Sequence, residues 1–364
     1  MDVKMLATSA RHRSRTTATH ARALARIVGN RQIPLLLSLS KNLATPVYRA
    51  FFLTSAAGHG VLRTLAQGPA GADELAAGLG IPGGGDRLRS WLDIGVQLGD
   101  LGFGDGRYRL RSRVAKALSR PENDAVSAAL EEVVRFHATV LLQAPAMLRD
   151  GRRLSLGDQD GGVIARSSRI VQPFIEEAIA RTLDRTSPVR LLEIGCGSGV
   201  YVRYAASLNP RLSALAIDLQ EEVAEEAAAN MARWGLANRV RTRHGDLRAL
   251  ELQPQFDLVT MHNNIYYFPK AERTAALERA RALLAPGGRL LLTTSCQGGN
   301  AGLRALNLWF ENADFGGPLP HEHELVWQME RAGFTGVSAT QIVPGEQFRA
   351  FVGTNAHAFR TAQA

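Results

Sequence analysis

The sequence predicts an α/β protein: a Rossmann-like, doubly wound, seven-stranded sheet preceded by a mainly helical winged-helix domain. Three observations predict it. From residue 190 onward, short apolar runs alternate with helical segments of ten or more residues, the texture of parallel strands joined by crossover helices. The first of these runs passes straight into "EIGCGSG", with Gly195, Gly197 and Gly199 at every second position. Between residues 48 and 113 the order reads helix, helix, helix, hairpin.

A chain of 364 residues with 45% hydrophobic and 21% charged side chains fits two globular domains. The net charge of +9 is local. Residues 1–50 hold nine basic side chains (Lys4, Arg11, Arg13, Arg15, Arg22, Arg26, Arg31, Lys41 and Arg49) against one acid, Asp2, which accounts for eight of the nine charges. Residues 1–40 are therefore expected to form a basic arm, disordered or partly helical; organellar transit peptides share its acid-poor, Arg/Ser-rich composition. No apolar run reaches 18 residues, so no transmembrane helix is expected. Two cysteines, Cys196 and Cys296, are too few for a disulfide scaffold or a cysteine zinc site and suit a reducing cytoplasm.

The winged-helix domain is expected over 41–120. Apolar spacing predicts a helix over 48–66, ended by Gly68-Pro69. A short helix over 73–79, a turn at 82–85 and a helix over 86–98 follow, with Asp86 as N-cap. Gly104-Asp105-Gly106, flanked by Phe103 and Tyr108, signals a hairpin. The helix before it offers only Arg87 and Arg89 among Trp91, Leu92, Ile94, Val96 and Leu98, so it reads as a packing element. Arg107, Arg109, Arg111 and Arg113 share one face of the hairpin and read as a solvated stripe, so nucleic acid is not the expected partner. Residues 121–165 are expected to be a helical linker that covers the active site. Over 121–149 lies a long helix or helix pair, with Val133, Phe136, Val140 and Leu141 on one face and His137 beside it. "GDQDGGVIA" reads as a loop. The domain over 166–364 opens with an amphipathic helix and continues with strands at 190–194, 214–218, 240–244, 256–261, 289–294, 334–340 and 348–352.

Each early strand ends in residues suited to a ligand. The glycines after the first let a ligand approach the backbone closely. A dinucleotide fingerprint would place a third glycine where Val200 stands. Glu193 disfavours a pyrophosphate and suits a ligand with an ammonium and a sulfonium. Asp218 ends the second strand, where a carboxylate can bridge ribose hydroxyls. Gly245-Asp246-Leu247 ends the third, where Asp246 can accept from an adenine amine. "MHNN" ends the fourth. All lie at carboxyl ends of parallel strands, where open sheets bind ligands.

Taken together, "EIGCGSG", "AIDL", "RHGDL", "FDLVTMHNNIYYFP" and "LLAPGGRLLLTT" resemble the successive motifs of class I S-adenosylmethionine-dependent methyltransferases over residues 165–355. The segments "GVLRTLAQGPAGADELAAGLGI" and "GDLGFGDGRYRL" resemble the dimerisation domain of small-molecule O-methyltransferases. The resemblance implies a homodimer formed through the N-terminal domain, S-adenosylmethionine as methyl donor and S-adenosylhomocysteine as product, with no metal. It places Glu193 against the methionine amino group and Gly195, Cys196, Gly197 and Gly199 beneath the donor. Asp218 falls at the ribose and Asp246 with Leu247 around the adenine, and Leu219, Gly245, His262 and Asn263 also lie on the donor side.

The chain departs from that family where its members carry a His-Asp pair after strand four: Tyr266-Tyr267 stand there instead. His262, four residues earlier, is open to three readings: general base, hydrogen-bonding group on the donor side, or satisfied strand-end polar residue. Tyr266 is a second catalytic candidate. His137, Tyr267, Trp309, Phe310 and Phe315 are candidate acceptor contacts, with Gly316-Gly317 as a hinge. Asn263-Asn264-Ile265-Tyr266 lacks the prolines of an amino-methyltransferase motif, so transfer to O, N or C stays open. "HEHE" at 321–324 reads as a helix start with acids in its first turn. The expected function is methylation of a small secondary-metabolite acceptor. The alternatives are a protein methyltransferase steered by the basic arm and a DNA-binding regulator that senses the donor.

Overall fold

The computed structural model describes residue 26 and residues 32–356. Most of the basic arm, residues 1–25 and 27–31, lies outside the described residues, as do 357–364. The chain divides into two compact units, one ending at Pro121 and the other beginning at Glu122.

In the first unit, α1 (Gln32–Leu39) runs through a π-helical turn (Ser40–Ala44) into α2 (Thr45–Gly58). Residues 32–39, read as part of the arm, are thus helical. Pro34 falls in the first turn, where a missing N–H costs nothing, and no other breaker precedes α2. The helix expected over 48–66 is two, because Gly60 adopts φ +79° and α3 (Val61–Gln67) starts afresh. After α4 (Ala72–Gly78), α5 (Gly85–Gln97) begins one residue earlier than expected: Gly84, not Asp86, is its N-cap, with no side-chain cap bond. β1 (Leu101–Gly104) and β2 (Arg107–Leu110) pair antiparallel. Asp105 and Gly106 at φ +54° and +74° make the two-residue turn that matches strand twist. α6 (Arg113–Leu118) ends the unit. Phe52, Leu62, Leu75, Leu92, Leu101 and Tyr108 are its buried core. The wholly buried Asp100 accepts two hydrogen bonds of 2.8 Å from Arg49 and one of 2.5 Å from Ser112.

The second unit opens with α7 (Asp124–Glu132), a π-helical turn (Val133–His137) and α8 (Ala138–Asp150), one continuous rod. α9 (Gly161–Ser167) occupies part of the expected loop. Asp160 caps it, its Oδ1 accepting from the amides of Gly162 and Val163 at 3.1 and 3.2 Å, and this outweighs the poor helix propensity of Gly161-Gly162. α10 (Gln172–Thr182) leads into the sheet, whose elements alternate as β3 (Val189–Ile194), α11 (Val200–Leu208), β4 (Leu212–Asp218), α12 (Glu221–Arg233), β5 (Val240–His244), β6 (Phe256–His262), α13 (Arg273–Ala282) and β7 (Leu284–Ser295). Then come α14 (Ala301–Glu311), α15 (Glu322–Arg331), β8 (Thr335–Gln341) and β9 (Phe348–Thr354). The order is β5-β4-β3-β6-β7-β9-β8, with β9 antiparallel to both neighbours.

The central strands are covered on both faces, so they are apolar in continuous runs rather than alternately. Leu191, Leu192, Val259, Leu290, Leu291 and Leu292 are all buried, each worth about 1.5–3 kcal/mol of transfer free energy. β3 lies between β4 and β6. The chain winds outward from it in both directions, which makes its carboxyl end the switch point of the sheet.

Candidate active site

At that switch point Glu193 sits on β3, in register with Ala216 of β4 and Thr260 of β6. It is 1% exposed, and neither carboxylate oxygen has a hydrogen-bond partner. Burial pushes its pKa up to about 8; the amide of Val202 opposes the rise from outside hydrogen-bond geometry, and the charge of Asp218 adds to it. An enclosed carboxylate without a donor is an expensive arrangement.

The glycine loop follows. Gly195, Gly197 and Gly199 all adopt positive φ, +66°, +53° and +80°. At Gly195 a Cβ would also fall 2.7 Å from the Asn264 amide nitrogen, which donates to the Ile194 carbonyl at 2.5 Å. Gly197 has nothing within 4 Å of where its Cβ would be, so this stretch of backbone is open to a ligand. Its amide donates to Asp218 Oδ2 at 3.0 Å, while Asp218 Oδ1 accepts from the Gln220 amide at 3.1 Å. Asp218 therefore holds the loop as well as ending β4. The Cys196 amide donates to the Ile217 carbonyl at 2.9 Å, and burial, then the charges of Glu193 and Asp218, push up the thiol pKa.

Beyond β4, Leu219 is 51% exposed, an apolar side chain left uncovered beside the polar loop. The Gly245 amide donates to the Asp218 carbonyl at 2.8 Å. Asp246 accepts from the Arg248 amide at 2.9 Å and pairs with its guanidinium at 2.8 Å. Burial would raise the Asp246 pKa, but the bonds from Arg248 outweigh it and leave it lowered. Leu247 is buried behind it.

His262 ends β6, its Nδ1 2.8 Å from Thr293 Oγ1 on β7. Its Nε2 is buried without a partner, and the ring lies 4.9 Å from that of Tyr201 in the first turn of α11. Burial pushes its pKa down to about 3, so the imidazole is neutral. Asn263 takes φ +54°, a conformation asparagine tolerates, and its amide donates to the Thr293 carbonyl at 2.8 Å.

The aromatic candidates form one cluster. Tyr266 lies 4.7 Å from Phe310 and 5.4 Å from Tyr267, and Phe315 lies 5.8 Å from Tyr267 and 5.9 Å from Trp309 between ring centroids. Trp309 and Phe310 are core residues, 2% and 1% exposed, whereas Tyr267 and Phe315 are half-buried. The Tyr267 hydroxyl donates to Gln159 Oε1 at 3.2 Å. Gly316-Gly317 is pinned rather than a hinge: the Gly317 amide donates to the Tyr266 carbonyl at 3.0 Å, and a Cβ at Gly316 would fall 2.3 Å from that same oxygen. The buried Arg273 ties the loop down further, donating to the carbonyls of Phe268 and Pro318 at 3.2 and 2.5 Å. His137 is buried on the π-helical turn, its Nε2 3.6 Å from Glu132.

Thr293, Tyr201, Gln159 and Glu132 were not singled out from sequence, and Asn264 was named only as part of a motif. Only Asn264 and Tyr201 carried a signal, their adjacency to a strand end and to the glycine loop. At the 321–324 segment Glu322 pairs with Arg349 and Glu324 with Lys270. Among the described residues no group of three His, Cys, Asp or Glu side chains is placed to hold a metal, and no helix is long and apolar enough to cross a membrane.

The strand-end residues fit a nucleoside with a cationic amino-acid tail: an unpartnered buried carboxylate, an open glycine backbone, a second carboxylate and an exposed leucine. Comparison with known proteins agrees. The family described as "Methyltransferase domain" matches residues 192–290. Demethylspheroidene O-methyltransferase of Rhodobacter capsulatus is 25% identical over 70% of this chain, which spans 66% of that relative's length. Protein-L-isoaspartate O-methyltransferase of Methylorubrum populi is 31% identical over 42% of this chain and 68% of its own. In fold, human N-acetylserotonin methyltransferase, solved in complex with S-adenosylmethionine, superposes with a TM-score of 0.67 at 18% identity, covering 90% of this chain and 99% of that one.

Proposed function

Because the chain belongs to the class I S-adenosylmethionine-dependent methyltransferases, we propose that it moves a methyl group from that donor to a nucleophile on a small, flat, largely apolar molecule. The donor supplies a sulfonium-bound methyl and leaves as S-adenosylhomocysteine. Glu193 takes the methionine ammonium, the 195–199 loop lies beneath the donor, Asp218 holds the ribose, and Leu219, Asp246 and Leu247 frame the adenine. His262, kept neutral by burial, serves as a hydrogen-bonding group at the donor's edge through Nε2, with Thr293 fixing its ring. Tyr267 and Phe315 face the acceptor, while Trp309, Phe310 and Tyr266 back that wall. Burial raises the Tyr266 hydroxyl well above its ordinary pKa, so it stays protonated. The chain's main contribution is alignment of nucleophile, methyl carbon and sulfur, which can lower a barrier by about 7–11 kcal/mol.

The observation that carries this reading is the partnerless carboxylate of Glu193 beside the open backbone of Gly197. Calorimetry with S-adenosylhomocysteine tests it: binding is expected, and a flat titration overturns the assignment. Incubation of the small-molecule fraction of a native extract with methyl-labelled donor, followed by mass spectrometry, then identifies the acceptor.

The first unit serves as a winged-helix dimerisation module in the same proposal. Leu35, Leu36, Leu37, Leu39, Leu43 and Val47 are exposed along α1, the π turn and α2, and an apolar stripe of that length calls for a cover. Light scattering should return twice the chain mass. A cytoplasmic setting suits the two buried free thiols.

A further inference from the structure

The rod that opens the second unit carries a buried histidine beside a half-buried carboxylate. Glu132 is the last residue of α7 and His137 the last of the π-helical turn. In an α-helix, residues five apart point about 140° away from each other. The π turn closes on the fifth residue instead, as its terminal bond from the Ala138 amide to the Val133 carbonyl shows, and so brings Glu132 and His137 onto one face. Their side chains meet, Glu132 Oε1 lying 3.6 Å from His137 Nε2. His137 is 8% exposed, and that nitrogen is buried with no hydrogen-bond partner. Local π turns of this kind occur often at functional sites.

The pair stands at the acceptor wall. The turn packs against α14, which carries Trp309 and Phe310. Phe136, its neighbour, shares a core cluster with Tyr266 and Phe310. The hydroxyls of both Tyr266 and Tyr267 sense the charge of Glu132, and that of Tyr266 also senses Tyr201, the ring beside His262. Nearer the strand end no base is free: burial keeps the Tyr266 hydroxyl protonated, and His262 is neutral with one nitrogen engaged by Thr293.

We propose that His137, oriented by Glu132, is the proton acceptor for the methylated nucleophile, a hydroxyl on an aromatic ring. The inference rests on the small-molecule methyltransferase reading. The hydroxyl oxygen forms its bond to the methyl carbon with a lone pair as the carbon–sulfur bond breaks, its electron pair staying on sulfur. The hydroxyl proton passes to His137 Nδ1, and the resulting imidazolium is held through Nε2–H by the Glu132 carboxylate, the carboxylate–imidazole logic of a general-base pair. His137 is thus a catalytic residue and Glu132 a positioning residue.

The test uses the full chain, the methyl-labelled donor and the small-molecule fraction of a native extract. His137→Gln and His137→Ala should each lower the labelling rate by about 100-fold or more, with S-adenosylhomocysteine affinity unchanged by calorimetry. Added imidazole should restore the rate in His137→Ala, which lost packing alone would not allow. Glu132→Gln should lower kcat rather than raise KM, and Glu132→Asp should recover part of the loss. A rate retained in His137→Gln overturns the inference, as does a lost rate in His137→Ala that imidazole leaves unrestored. If the wild-type chain binds S-adenosylhomocysteine but labels nothing, the small-molecule reading itself falls; if it gives no binding heat, the donor assignment falls.

Discussion

The donor end and the acceptor end of the site are built on different plans. The proposed donor end comes from one contiguous stretch of alternating strands and turns, residues 191–264, and combines the unpartnered buried carboxyl group of Glu193 with the open backbone at Gly197 and the partnered carboxylates of Asp218 and Asp246. The acceptor end draws on three distant stretches: the rod of 124–150, Tyr266-Tyr267 after β6, and α14 with the loop behind it. There the groups are large rings packed against one another. At the first, burial isolates a charge; at the second, burial assembles a wall. Mutations should therefore act on ligand affinity at the donor end and on stability at the acceptor end.

The hardest test of that division is Phe310→Ala. Phe310 is buried against Tyr266, Tyr267 and Trp309, so truncation should cost about 3–5 kcal/mol of stability by denaturant melts, while the folded fraction binds S-adenosylhomocysteine as before. A matching loss of affinity would break the comparison. Glu193→Gln should do the reverse. It removes a charged hydrogen-bond acceptor worth about 1.5–3 kcal/mol, so affinity falls about 10- to 150-fold, while the ligand-free protein melts no lower. The pH dependence sharpens this. Glu193 has a pKa raised from 4.5 to about 8, so the folded state holds its proton longer than the unfolded state. Its contribution is fully present below pH 4.5 and is lost as pH rises through about 8. Melting of the ligand-free wild type should show that decline, and Glu193→Gln should flatten it. The smallest expected effect is that of Tyr267→Phe, which loses one hydrogen bond to Gln159. About 0.5–1.5 kcal/mol of stability should disappear without change in donor binding.

The same division explains what could be read in advance. β5 was placed to the residue at 240–244, and the glycine loop, Glu193 and Asp218 could be named from sequence because each strand runs directly into its own turn. The parallel strands followed from the alternation, and the full seven-stranded sheet from the apolar runs together with the family resemblance. Thr293 was not legible: its value lies in standing beside His262 across the β6–β7 pairing, and nothing local marks it. Glu132 escaped because its partnership with His137 exists only through a π turn, and periodicity assumes 3.6 residues per turn throughout. α9 falls partly in a stretch read as a loop; Gly161-Gly162 are poor helix formers, and the cap at Asp160 was not weighed. The aromatic residues were named singly; that Trp309 and Phe310 are interior and Phe315 half-open depends on how the 312–320 loop is stitched down by Arg273.

The π-helical turn at 133–137 also governs everything that follows it along the rod. An extra residue accommodated in one turn rotates the rest of the helix by about 100° relative to an uninterrupted one. Val140, Ala144 and Met147, buried with spacings of four and three, point inward only because that rotation has already occurred. A chain shortened by one residue within 133–137 would regain a regular helix and swing this stripe toward water, while Leu141, Leu142 and Leu148, now exposed, would swing with it to new positions around the axis. The one extra residue in the turn thus sets the phase of the thirteen residues of α8.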